Sequence, residues 1–259
     1  MDDELKLLAQ KVADAIYRKV RQVNSKEFHK FGTNIGIGAD GTPTKYIDKL
    51  AEDVAIKIIK RSKIKVNVLS EEAGFLDHGG KYTFVLDPID GTRNAYRGIP
   101  FYSVSIAVGK SSLGDIEYGI VKNIPTGETF VAEKGHGAYY NEKRFAAPEI
   151  PDNEVLSCLT LGKNYDKLTL KLAKKDKVRS LGSASLEMCM VALGALDYYV
   201  VGKEYMRVID IAASTLVVRE AGGAVTDVLG RDLDMPLNLD ERRSVIAACN
   251  MDIIEHIIS

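Results

Sequence analysis

Two carboxylates separated by Pro-Ile and followed by Gly-Thr form the most chemically suggestive stretch of the chain, Asp87-Pro88-Ile89-Asp90-Gly91-Thr92. The preceding Phe84-Val85-Leu86 has the composition of a buried strand, so the acids fall where that strand ends. Pro88 fixes its own φ and disfavours helical geometry at Asp87, which predicts a turn on which both acids converge. Two close carboxylates without compensation repel or raise one another's pKa, whereas a divalent cation lets both stay ionised. Gly91 lets backbone approach a ligand with no Cβ in the way, and Thr92 offers an N–H and a hydroxyl where a short helix can start. Together these features describe a metal site beside a phosphate cradle. By itself, Asp90-Gly91-Thr92 is explained equally well as an acidic turn after a strand.

Other acids stand where they could join this pair. Val66 to Leu69 reads as a short strand stopping at Ser70-Glu71-Glu72; adjacent residues alternate faces, so Glu71 is expected to point inward and Glu72 to be a solvated neighbour. Asp48 lies near the start of a predicted helix, where it is either a dipole-favoured surface acid or a group that orients a hydroxyl or water. Asp210 sits near the start of the otherwise apolar Val208-Ile209-Asp210-Ile211-Ala212-Ala213, as a capping acid or as one more carboxylate for the cluster. Asp40, in a glycine-rich stretch from Phe31 to Gly41 that suggests a mobile loop, is a candidate helper from a lid.

The elements that must carry these groups follow from periodicity. Leu5, Leu8, Ala9, Val12, Ile16 and Val20 recur at helical spacing, with acids before them and Arg18, Lys19 and Arg21 after. A second helix buries Ile47, Leu50, Ala51, Val54 and Ile58, with Thr42 or Thr44 as its expected cap and Pro43 in its first turn. Tyr102 to Gly109, Ile116 to Lys122, Glu128 to Glu133 and Gly137 to Tyr140 read as antiparallel strands between Gly, Pro and Asn breaks. From about Glu149 the pattern changes to alternating strands and helices. Strands are expected at 155–161, 178–181, 197–201, around Val225 and at 245–248; helices at 166–174, 184–195, 208–221 and 251–258.

Size and composition set bounds. The 259 residues are 46% hydrophobic, enough for a sizeable core. A net charge of −1 gives no general electrostatic case for nucleic acid, and no apolar run approaches bilayer length. Acids precede Leu5, unlike a signal-peptide n-region, so a soluble cytoplasmic protein is expected. Cys158, Cys189 and Cys249 are widely spaced with no CxxC, and read as small core hydrophobes in a reducing compartment. His136 lies on a Gly-His-Gly turn, and no histidine has a second at metal-ligand spacing.

In order, Asp48 at a helix start, Ser70-Glu71-Glu72, Asp87 to Thr92, Ile209 to Ala213, Glu220-Ala221-Gly222-Gly223 and Val245 to Asn250 resemble the inositol monophosphatase and fructose-1,6-bisphosphatase superfamily over nearly the whole chain. Ile209 stands where many members have Trp, which makes the sequence most similar to the archaeal-type branch with both activities. The resemblance implies a layered α-β-α-β-α fold (α+β / α/β), with residues 1–259 as one phosphatase domain. Its antiparallel-rich half, about 1–148, would meet an α/β half, 149–259, at the site. It implies that Glu71, Asp87 and the Ile89 carbonyl hold one Mg²⁺, that Asp87, Asp90 and Asp210 hold a second, and that a weaker third shares Glu71, with Mn²⁺ able to substitute. These are oxygen donors suited to a hard cation.

The resemblance further implies direct in-line attack by a metal-activated water that is positioned by Glu71 and by a Thr92–Asp48 pair. Asp90, Gly91, Thr92, Arg179, Ala184 and Lys203 fall on substrate-contacting positions. Tyr198-Tyr199 is followed by Val200, where inositol-selective members carry Glu, and Lys203 falls where bisphosphate-cleaving members use a cation. Fructose 1,6-bisphosphate and inositol 1-phosphate are therefore the expected substrates, and a homodimer the expected assembly. NADP or phosphoadenosine phosphate hydrolysis is the alternative within the superfamily, and a non-catalytic Mg²⁺ or sugar-phosphate sensor the alternative outside it. The haloacid-dehalogenase type of phosphatase shares an Asp-x-Asp-Gly-Thr hallmark. Here the acids are three apart and an early nucleophile strand is missing.

Overall fold

Which face of each strand is apolar decides where each layer of this protein sits. The computed structural model describes residues 2–23, 28–39, 41–148, 155–161 and 166–259. In chain order the first half carries α1 (Asp3–Gln22), α2 (Phe28–Phe31), β1 (Asn34–Ile37), β2 (Pro43–Lys45), α3 (Tyr46–Ser62), β3 (Asn67–Ser70), β4 (Gly74–Leu76), β5 (Thr83–Asp90), α4 (Thr92–Arg97), β6 (Ser103–Gly109), β7 (Tyr118–Asn123), β8 (Thr129–Glu133), β9 (Gly137–Tyr140) and β10 (Lys143–Phe145). The second half carries β11 (Leu156–Leu159), α5 (Lys167–Lys175), β12 (Lys177–Arg179), α6 (Ala184–Leu193), β13 (Tyr198–Met206), α7 (Val208–Glu220), β14 (Ala224–Thr226), β15 (Arg243–Ala248) and α8 (Met251–Ile258).

An eight-stranded sheet runs β10-β9-β8-β7-β6-β5-β3-β4, antiparallel except for the parallel β3–β5 pair. A five-stranded sheet runs β12-β11-β13-β15-β14, in which β11 is parallel to both its neighbours. Phe84 and Leu86 of β5 and Val104, Ile106 and Val108 of β6 face α1 and α3. Val85 and Ala107, on the opposite face, join α6, α7 and the inner face of the second sheet. Tyr198, Val200 and Ile246 pack outward with Leu172 of α5 and Ile254 of α8. The result is the layered α-β-α-β-α arrangement.

The central layer has no amphipathic stripe because both its faces are covered: ten of the thirteen residues of α7 are buried. Gly119 on β7 is what lets α7 come this close, since a Cβ there would lie 2.9 Å from the Ala213 carbonyl oxygen.

Three local expectations are corrected. Residues 34–37 and 43–45 form an antiparallel hairpin rather than an unstructured loop; all four residues of β1 are exposed, so no alternating pattern marks it. Pro43 therefore lies in β2, α3 starts at Tyr46 behind Lys45, and neither Thr42 nor Thr44 caps it. Finally, β5 does not stop before the acids. It continues to Asp90 with a register irregularity between Asp87 and Asp90, because Pro88 has no N–H to give the ladder and a bulge accommodates it.

Candidate active site

The bulge in β5 aims the two aspartates. Asp87 keeps the parity of Val85 and so points toward the α6–α7 layer, while the irregularity that follows turns Asp90 toward the start of α6. Asp87 is 3% exposed and Asp90 8%. Asp90 Oδ2 accepts from Ser183 Oγ (2.7 Å), Ser185 N–H (2.8 Å) and Ser185 Oγ (2.5 Å), and Oδ1 accepts from Ala184 N–H at 3.3 Å. Asp87 Oδ1 accepts from the Ile89 N–H at 3.0 Å, which closes the turn on itself.

Glu71 and Asp210 complete the cluster from opposite ends of the sequence. The Asp87 carboxyl is pushed well up, first by burial and then by the negative charges of Asp90, Glu71 and Asp210, with Arg207 opposing. Asp90 is also raised by burial, partly offset by its serine donors. Arg207, the N-cap of α7, donates to Glu71 Oε1 through Nη1 (2.7 Å) and to Asp210 through Nη2 (2.8 Å) and Nε. Asp210 also accepts from the Arg207 N–H at 2.8 Å, so it caps the helix as well as facing the cluster.

Thr92 is held by its hydroxyl, which faces Asp48 Oδ1 (2.9 Å) and the Ile89 carbonyl (3.0 Å). Asp48 is buried, and its carboxyl is pushed up to about 8 by desolvation, helped by the charges of Glu71 and Glu72. Gly91, with φ +92°, precedes α4; a Cβ there would meet the Gly182 carbonyl at 3.0 Å and Tyr102 Cβ at 3.1 Å. Asn94 ties α4 to the second half through the Leu181 carbonyl, 2.7 Å away.

A cleft of about 860 Å³ opens over these groups, lined among others by Glu71, Asp90, Gly91, Thr92, Ala184 and Asp210. Arg179 and Lys203 are exposed on β12 and β13, and neither is among the residues lining the cleft. Asp40 lies outside the described residues. Glu72 is not the purely solvated neighbour expected: it is half-buried and accepts a hydrogen bond from Thr44 Oγ1.

Sequence reasoning missed Arg93, Arg207, Arg242 and Glu187, all of which line the cleft. Two left a signal. An arginine at a helix N-terminus opposes the dipole, and Glu187 is an acid inside the apolar run of α6 that turns out 3% exposed. Glu187 accepts from the Leu181 (2.5 Å) and Gly182 (2.9 Å) amides and from Cys158 Sγ. It thereby fixes the loop that carries Ser183 to Asp90.

Whether this cluster suits a divalent cation is decided by its donors. They are carboxylates and a carbonyl, mutually repelling and without His or Cys, as a hard cation requires, with Asp87, Asp90 and Ile89 buried and Glu71 and Asp210 half-buried. Among the described residues no three acidic, His or Cys side chains already stand in a ligand arrangement. Instead Arg207 donates to Glu71 Oε1 and Asp210 Oδ1, and Asp90 Oδ2 accepts from the serines. The donor set fits; its members have to re-aim.

Comparison with known proteins matches this frame over its length. The family model described as the inositol monophosphatase family matches residues 2–259. The fructose-1,6-bisphosphatase/inositol-1-monophosphatase of Methanothermobacter thermautotrophicus is 38% identical over 97% of this chain and 94% of its own. A bifunctional NADP phosphatase/NAD kinase of Methanococcus maripaludis is also 38% identical, over 94% of this chain but 47% of its own length. The crystal structure of the MJ0109 gene product, an inositol monophosphatase-fructose 1,6-bisphosphatase, superposes with a TM-score of 0.85 at 31% identity, covering 100% of this chain and 99% of that one. The chain belongs to the inositol monophosphatase family, metal-dependent phosphatases that act on small-molecule phosphates.

Proposed function

We propose that this phosphatase hydrolyses fructose 1,6-bisphosphate and inositol 1-phosphate with two or three Mg²⁺ ions, for which Mn²⁺ substitutes. The observation that carries the reading is the meeting of Glu71, Asp90, Asp210 and Thr92 on one cleft, with Asp87 close enough to feel all three acids and Asp48 accepting from Thr92. Glu71, Asp87, Asp90, Asp210 and the Ile89 carbonyl would hold the cations. When bound, they supply charge that polarises the phosphoryl oxygens and acidifies water.

The chain's own groups do the remaining work. The first turn of α4 leaves amide donors for the phosphate that Gly91 lets approach. Thr92 commits its hydroxyl proton to Asp48 and the Ile89 carbonyl, which leaves the oxygen of this cleft-lining residue to accept from the attacking water. Glu71 takes the water's second proton contact and aligns it for in-line attack. With Arg179 and Lys203 outside the cleft lining, the distal phosphate of a bisphosphate falls to Arg93 and Arg242, which are in it.

A second reading is 2′-phosphate removal from NADP. Exposed Tyr205 and Leu161 on the cleft wall offer a base an apolar face, and relatives named NADP phosphatases share 38% and 37% of their residues with this chain. We also propose that residues 1–259 act as one catalytic unit, whose two halves close on the cleft, and that the enzyme is a cytoplasmic homodimer, which light scattering on the purified chain tests. No helix among the described residues is long and apolar enough to cross a membrane.

Phosphate release from fructose 1,6-bisphosphate, inositol 1-phosphate, NADP and phosphoadenosine phosphate, measured side by side with Mg²⁺, tests the substrate assignment. Preference for either of the first two supports it and preference for NADP supports the second reading. Binding of sugar phosphate without turnover, with Mg²⁺ or Mn²⁺, would make the protein a sensor.

A further inference from the structure

Arg207 is placed oddly for a helix cap. N-cap positions favour Ser, Thr, Asp and Asn, and the dipole disfavours a cation there. What an arginine adds is reach. Its side chain, 16% exposed, spans from Asp210 three residues on to Glu71 on the other half of the chain, with Nη1 2.7 Å from Glu71 and Nη2 2.8 Å from Asp210. It therefore brings a fixed positive charge between two carboxylates that would otherwise repel each other and Asp87.

We propose that Arg207 is a built-in counter-cation that competes with the divalent metal for Glu71 and Asp210, so that metal entry requires the guanidinium to swing away. The inference rests on the assignment of those two acids to the metal site. An oxygen that accepts a guanidinium N–H at 2.7 Å has one of its lone pairs committed, and the guanidinium's charge repels a divalent ion approaching the same carboxylates. A guanidinium cannot yield by losing its proton; it yields only by rotating. Room exists for that, because Arg207 lines the open cleft beside Tyr205 and Met206. The consequence is a threshold: the acid cluster stays partly neutralised and braced at low metal, and the affinity of the site is set partly by this residue.

The test is calorimetric titration of Mn²⁺ into the EDTA-stripped full chain, comparing wild type with Arg207→Gln, Arg207→Lys and Asp87→Asn. Arg207→Gln is expected to bind Mn²⁺ about tenfold more tightly, the loss of one charge-assisted contact from the competing state. Arg207→Lys, whose ammonium cannot fork to both acids, falls between it and wild type. In EDTA the Gln variant is expected to melt lower than wild type, and to gain more on adding Mn²⁺.

Equal or weaker Mn²⁺ binding by Arg207→Gln overturns the proposal and leaves Arg207 a structural brace. Should the Gln variant not fold, the Lys variant decides: tighter binding than wild type supports competition, equal or weaker binding refutes it. Asp87→Asn separates the two levels. If it loses Mn²⁺ while the Arg207 variants match wild type, only the competition fails; if it binds as wild type does, the metal assignment fails and the proposal with it.

Discussion

Replacing Asp48 by Asn should make the metal-free protein more stable at neutral pH and less active. The carboxyl is buried, and desolvation with the nearby charges of Glu71 and Glu72 carries it from an ordinary 3.8 to about 8. A carboxyl raised in the fold favours the neutral form there. Its contribution to stability is thus complete below pH 3.8 and lost progressively as pH rises to about 8. The full span corresponds to on the order of 5 kcal/mol.

The amide of the Asp48→Asn variant cannot ionise, so it escapes this loss. Its single acceptor oxygen must serve both Thr92 and the Lys45 N–H that now share the carboxylate, which costs roughly 1 kcal/mol at any pH. The variant should therefore be slightly less stable than wild type at about pH 4, cross it near roughly pH 4.5, and exceed it by on the order of 4 kcal/mol at about pH 8. Urea denaturation in EDTA across that range reads the difference directly, and Mg²⁺ should shrink it by stabilising the ionised acid. Phosphate release should fall in the same variant, because Thr92 loses its charged partner. Parallel pH–stability curves for the two proteins would mean that Asp48 is solvated and ionised, and would remove it from the proton-handling role.

Three further outcomes are expected. Glu187→Ala leaves the Leu181 and Gly182 amides and Cys158 without their acceptor; it should cost about 3 kcal/mol in urea denaturation and lower turnover, with Glu187→Gln recovering part of both. Arg93→Ala should raise KM for fructose 1,6-bisphosphate several-fold more than for inositol 1-phosphate, and equal changes would take Arg93 out of distal-phosphate recognition. Cys158, Cys189 and Cys249 are at most 2% exposed, and burial pushes all three thiols up. Iodoacetamide at about pH 8 should leave the folded protein unmodified by mass spectrometry and label all three in denaturant; labelling of Cys158 in the folded protein would contradict the packing around Glu187.

What the sequence disclosed was decided by range. Leu5 to Val20 announced α1 through local period, and Asp87 to Thr92 carried its chemistry in adjacent residues. Even α7, buried on both faces and so without a stripe, was legible from the apolar run that Gly222-Gly223 ends. The β1–β2 hairpin was not, since its first strand is exposed at all four residues and binary patterning is silent there. Nor was the pairing of Arg207, whose partner Glu71 lies 136 residues away; a cation at a helix start is a local oddity, but nothing local says which acid it reaches. Arg179 and Lys203 illustrate the converse. Both are exposed on their strands and neither lines the cleft; a strand position fixes the backbone and leaves the reach of a long side chain free.

The site's location follows from the layer order. A bulged strand of the first sheet ends against the central helices, and two of these begin there: α6 directs Ser183, Ala184 and Ser185 at Asp90, and α7 contributes Asp210 from its first turn. Helix starts carry partial positive charge, the sign that lets buried carboxylates stay ionised when serines donate to them. That charge and the serines still leave Asp87 repelled by three acids, so the fold concentrates more negative charge than its helix termini neutralise. In this structure Arg207 supplies part of the balance, its guanidinium bridging Glu71 and Asp210.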